Sequence, residues 1–153
     1  MNNRTIRILT GIITAIALTF GASTTAHADG LDPRITYALD AQPGGILTSS
    51  TTIAWPELGM VLTLPPAVTT RGLSAKCPVG LTCAFQSANE GGARLTWSTC
   101  GTFSTTALAT VGSVANARST GTLQARNGTT VIASTSAGNF VNVYSTVNNV
   151  RCL

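Results

Sequence analysis

The sequence predicts a mainly β fold in which one helix and one hairpin lead into a run of short strands held by two disulfides. Three observations carry that prediction. Charged residues make up only 9% of the chain, and Ser, Thr and Gly take their place, as on the uncharged solvent faces of a β protein. From Cys77 onward, short strand-like runs alternate with turn residues at roughly ten-residue spacing, the pattern of a sandwich or Greek-key barrel. Four cysteines, Cys77, Cys83, Cys100 and Cys152, form the even set expected of a disulfide framework.

The first segment, residues 1–28, reads as a secretory signal. Arg4 and Arg7 precede the thirteen-residue apolar run ILTGIITAIALTF, and AHA at 26–28 offers the small residues a signal peptidase accepts. The run is shorter than the roughly 18 residues a membrane span requires, and no cysteine near the cut invites a lipid. Cleavage after Ala28 is expected to leave a secreted, extracellular chain with no membrane attachment.

Residues 29–73 read as a leader of helix plus hairpin. In DPRITYALDAQPGG, Asp32 is the expected N-cap and Pro33 the first helical residue. Ile35 and Leu39 share a face, and Pro43-Gly44-Gly45 forms the stop. TTIAW and GMVLTL read as a hairpin joined by PEL, with Trp55 at the turn. PPAVTTRGLSAK reads as a linker, since Pro65-Pro66 breaks a strand and no periodicity follows.

Residues 74–153 then read as the main β unit. Its clearest hairpin is TLQARNGTTVIAS, in which Asn127-Gly128 is the favoured two-residue turn, with Leu123 and Ala125 on one arm and Val131 and Ala133 on the other. FVNVYSTV reads as a last strand, turning at Asn148-Asn149 toward Cys152.

The cysteines are separated by five, sixteen and fifty-one residues, without the close pair of a zinc knuckle. Two disulfides follow, with three possible pairings. One of them closes the small loop PVGLT, where Pro78 and Gly80 supply the turn, and leaves Cys100 and Cys152 to tie the C-terminus to the body.

Composition excludes more than it assigns. Without Arg4 and Arg7, seven basic side chains remain against five acidic ones. Arg34, Arg71, Lys76, Arg94, Arg118, Arg126 and Arg151 are scattered, so no nucleic-acid partner is expected. The only histidine, His27, lies in the signal, which removes histidine-based catalysis and the commonest zinc ligands. Neither an enzyme nor a cofactor is expected. The carboxylates best placed for glycosidic chemistry, Glu57 and Glu90, sit in turn contexts and read as solvated.

Spacing links three residues of the main unit. Phe85 starts a strand, Gly92 falls seven residues later, and Ser113 falls twenty-eight after Phe85. This resembles the βγ-crystallin Greek-key motif. In that motif the aromatic opens a folded hairpin, the glycine takes a left-handed backbone, and the serine hydroxyl caps the hairpin from the fourth strand. A second resemblance rests on CPVGLTCAFQSANEGGARL and the preceding PGGILTSSTTIAWPELGMVLTLP. Both stretches look like those of actinobacterial secreted proteins grouped with the Streptomyces metalloproteinase inhibitor, a peptidase inhibitor family of βγ-crystallin-like fold. The resemblance implies a local Cys77–Cys83 disulfide and a βγ-crystallin-like Greek-key sandwich. It also implies a peptidase-inhibitor role, with a secreted protease as the partner; a monomer is expected.

The chain departs from that family in two places. The other cysteine pair, Cys100 and Cys152, is long range rather than a second short loop. LATVGS offers no side-chain oxygen before the serine except Thr110, so no metal site is expected there. The expected function is peptidase inhibition through a rigid disulfide-closed loop of Pro78, Val79, Gly80, Leu81 and Thr82. The alternatives are a non-catalytic binding or structural module for cell wall or glycan, and a secreted toxin on the same fold.

Overall fold

A computed structural model describes residues 30–65 and 76–153. Residues 1–28, read above as a secretory signal, and most of the segment read as a linker lie outside them. The helix α1 (Pro33–Ala41) begins as the sequence predicts. The Asp32 carboxylate accepts from the Arg34 amide at 2.9 Å, satisfying one of the donors a helix start leaves unpaired. The Arg34 guanidinium turns back onto the same carboxylate at 2.9 and 2.6 Å. Ile35 and Ala38 face the core, with Leu39 half-buried beside them. At the helix end the Trp55 Nε1–H donates to the Gln42 carbonyl at 2.9 Å, anchoring the helix to the hairpin strand that carries Trp55.

The Arg34 hydrogen bond holds the Asp32 carboxyl at about 2, against an ordinary 3.8. A lowered folded-state value means that this stabilisation is complete above about pH 4 and is lost as pH falls through about 2. Asp32 is 31% and Arg34 40% exposed, so solvent screening keeps the contribution to roughly 1 kcal/mol or less. Asp32→Asn retains a capping oxygen and removes the charge. Acid unfolding curves of the two proteins should therefore differ modestly near neutrality and converge only below about pH 2.

All pairings are antiparallel and form two sheets among the described residues. The larger contains β1 (Ile46–Ser49), β2 (Thr52–Trp55), β3 (Met60–Thr63), β5 (Gly91–Trp97), β4 (Thr82–Ser87), β7 (Ser113–Asn116) and β10 (Asn139–Asn142), in that spatial order. The smaller is ordered β6 (Thr102–Ser104), β11 (Asn149–Cys152), β8 (Thr122–Asn127) and β9 (Thr130–Ser136). Register aligns Leu47, Ile53, Leu62, Leu95, Ala84, Val114 and Val141 as one apolar row across all seven strands of the larger sheet. Most of this row joins Leu123, Ala125 and Val150 of the smaller sheet, and Ile35 and Ala38 of α1, in a single core. Sheet and helix thus share one buried face.

Two four-strand units repeat one connectivity. In β4–β7 the first strand lies between the second and fourth, and the third crosses to the other sheet; β8–β11 does the same in reverse. Each sheet therefore holds three strands of one unit and one of the other. The β2–β3 hairpin, turned by a one-turn 3-10 helix at Pro56–Leu58, extends the larger sheet by pairing β3 with β5.

Four local expectations change. β1 gives no sequence signal because all four of its side chains are exposed. The hairpin turn in the smaller sheet is displaced by one residue. Asn127 pairs with Thr130, so the turn residues are Gly128 and Thr129, with Gly128 at φ +58°. A bulge between Ala125 and Arg126 then sets Val131 opposite Arg126 rather than on the Ala125–Ala133 face, leaving Val131 exposed. FVNVYSTV is not one strand either. β10 ends at Asn142, the chain crosses between sheets, and Asn149 begins β11.

Candidate functional site

The Cys77–Cys83 disulfide exists, with Cα atoms 5.8 Å apart. It fixes a strap against the outer face of the larger sheet. Beneath the strap, Cys83 and Phe85 of β4 and Ala115 of β7 are buried, although they point away from the main core. This explains why β4 is buried on both faces and reads as a continuous run rather than an alternation.

Within the strap, Gly80 adopts φ +85°, a conformation that suits glycine. Its amide donates to the Ala117 carbonyl at 2.8 Å, the Ala117 amide donates to the Leu81 carbonyl at 3.0 Å, and the Leu81 amide donates to the Pro78 carbonyl at 3.1 Å. The entry is held as well. The Cys77 amide donates to Glu90 Oε1 at 3.2 Å, and Arg94 Nη1 donates to the Lys76 carbonyl at 2.8 Å. These bonds leave Pro78, Val79 and Gly80 exposed, with Val79 95% exposed at the tip. Leu81 is half-buried. Thr82 belongs to β4 and is fully buried, so it offers nothing at the surface.

Phe85, Gly92 and Ser113 meet around the β4–β5 hairpin. Gly92 has φ +77°, and Asn89 and Glu90 in the turn also have left-handed φ of 55° and 56°, which costs side-chain-bearing residues energy. The buried Ser113 hydroxyl offsets that cost: it donates to the Ser87 carbonyl at 2.8 Å and accepts from the Glu90 amide at 3.0 Å. Gly112 allows this approach, because a Cβ there would lie 2.4 Å from the Ser87 carbonyl carbon.

Sequence reasoning missed the counterpart in the second unit, Asn148. Its Oδ1 accepts from the Gly128 amide at 2.9 Å and its Nδ2 donates to Asn127 Oδ1 at 3.0 Å. An asparagine caps the β8–β9 hairpin where a serine caps the first, so a search for a second serine finds no signal.

Beside the strap lies an open groove of about 420 Å³ floored by β7, with Val79 on one wall and the half-exposed Phe140 of edge strand β10 on the other. A second, almost wholly apolar cavity of about 250 Å³ opens under α1, between Tyr37 and the side chains of Leu62, Leu64 and Leu108. The other cysteines are also bonded. Cys100–Cys152, with Cα atoms 5.1 Å apart, joins the loop after β5 to the last residue of β11.

The remaining candidates separate. Glu57 lies in the turn that leads to Met60, the partner of Trp97 at one end of β5, whereas Glu90 immediately precedes Gly91 at the other end, so the two are too far apart to flank one bond. Trp55 and Trp97 are core residues, whereas Tyr37 and Tyr144 are exposed. No group of three or more metal-ligating side chains occurs among the described residues, and no helix among them is long and apolar enough to cross a membrane. No family model, curated protein or solved structure matches the chain.

Proposed function

We propose that this protein is a secreted, non-catalytic peptidase inhibitor that presents Val79 on the disulfide-held strap. The observation that carries the reading is the contrast between Val79, 95% exposed, and the backbone on either side of it, tied by the Cys77–Cys83 bond and by Ala117. A segment fixed before binding loses little conformational entropy when it enters a cleft. The neighbouring groove, with Phe140 on its far wall, gives the bound enzyme a second apolar contact.

The scaffold we infer is a βγ-crystallin-like pair of Greek keys. Its support is the repeated connectivity of β4–β7 and β8–β11 together with the Ser113 cap on a hairpin containing Gly92. The likeness of the CPVGLTC stretch to secreted inhibitors of that fold agrees with this reading, as do two disulfides with an extracellular location.

The test is titration of the oxidised protein against secreted metallo- and serine peptidases, repeated after reduction. Inhibition that disappears on reduction supports the proposal, and a folded protein that inhibits neither class contradicts it. A binding module is the second reading. It is favoured by the apolar cavity under α1 and would show as saturable binding of a small apolar ligand without inhibition.

A further inference from the structure

The chain contains one Asn-Gly dipeptide, Asn127-Gly128, and it lies exposed at the β8–β9 hairpin. Glycine leaves its own amide nitrogen unshielded, so this dipeptide favours attack of that nitrogen on the preceding side chain. The Gly128 amide gives up its proton to water and the nitrogen bonds to Cγ of Asn127. The Cγ–Nδ2 bond then breaks, and the departing nitrogen takes a proton from water and leaves as ammonia. Water opens the resulting succinimide to aspartate or isoaspartate. No oxidant or cofactor is involved.

The groups that must react are both held by one side chain. Asn148 Oδ1 accepts the Gly128 N–H at 2.9 Å, the proton that must leave, while Asn148 Nδ2 holds Asn127 Oδ1 at 3.0 Å. Asn148 is itself fixed: its backbone amide donates to the Arg126 carbonyl at 3.0 Å, and Asn149 Nδ2 bridges Asn148 Oδ1 at 2.7 Å and the Gly128 carbonyl at 3.0 Å. We propose that Asn127 is a deamidation site and that Asn148 is the latch that keeps it closed in the folded protein. Opening the latch has a structural consequence. Isoaspartate at 127 lengthens the backbone at the strand residue that enters the two-residue turn, so the pairing of Asn127 with Thr130 is lost at the tip of a strand central to the smaller sheet.

The experiment incubates full-length oxidised wild type, N148A and N148D at mildly alkaline pH, with reduced and denatured wild type as the open reference. The succinimide, aspartate and isoaspartate forms of the 127–128 peptide are counted by mass spectrometry. Folded wild type should react at least about tenfold more slowly than the denatured chain, the factor that one hydrogen bond of ordinary strength represents. N148A, shown to be folded, should approach the denatured rate. N148D keeps an acceptor for the Gly128 N–H but loses the Nδ2 donor to Asn127 Oδ1, so it should react faster than wild type and more slowly than the denatured chain. If folded wild type reacts as fast as the denatured chain, if folded N148A stays as slow as wild type, or if folded N148D reacts at the denatured rate, the latch is wrong. Should N148A not fold, the comparison of wild type and N148D with the denatured chain decides.

Discussion

Replacing Cys100 and Cys152 together by serine is expected to lower stability by about 4 kcal/mol. The bond closes a loop between residues 52 apart in sequence, and the entropy it removes from the unfolded chain grows with loop length. The same reasoning gives only about 2 kcal/mol for Cys77–Cys83, whose separation is 6. The long-range bond also secures an unusually placed element. β11 is C-terminal in sequence but interior in its sheet, pairing with both β6 and β8, so its release exposes ladder edges on two strands. Denaturant unfolding of the double variant should show an earlier midpoint, with more surface exposed on unfolding than in the wild type. A loss below about 1 kcal/mol would mean that the ladder alone holds β11 in place.

Trp97→Ala should cost about 3–5 kcal/mol. The side chain is fully buried, stacks on Phe103 with ring centroids 5.7 Å apart, and lies between Thr82 and Met60 in the register of the larger sheet. Its removal opens a cavity where three strands and β6 meet. The ring nitrogen contributes differently. Trp97 Nε1 is buried without a hydrogen-bond partner, a state that costs energy rather than supplying it. Trp97→Phe therefore discards the orphaned donor and keeps most of the packing, and should cost far less than the alanine variant in the same unfolding experiment. Equal losses for the two variants would show that the indole's full outline, not its apolar bulk, is what the core requires.

What could be read from the sequence depended on whether one residue carried the signal. Asp32 followed by Pro33 sets the helix start by itself, and alternation in TTIAW and GMVLTL sets a hairpin whose inner side chains are buried. The Phe85–Gly92–Ser113 spacing falls on one local hairpin: Phe85 lies opposite Ser113 in register, Gly92 is left-handed and the Ser113 hydroxyl bonds the turn. The failures arise where neighbours in space decide. β1 is exposed on both faces and exists because β2 offers it an edge. Val131 faces outward because of a bulge that no dipeptide announces. At the candidate site, the exposed tip Pro78–Gly80 was legible from its turn residues. The burial of Thr82 was not, because it depends on β5 and β7 lying on either side of β4. Asn148 was invisible for a related reason: its role comes from a strand crossing between sheets.

The most direct test of the inhibitory strap is a side-by-side titration of wild type and Val79→Asp against any peptidase that the oxidised protein inhibits. Val79 is 95% exposed, so the substitution should leave unfolding unchanged within about 0.5 kcal/mol. If Val79 enters the cleft, burying a carboxylate in place of an apolar side chain should weaken inhibition by about a hundredfold or more. Unchanged inhibition by the folded variant would contradict the account and move the contact surface away from the strap.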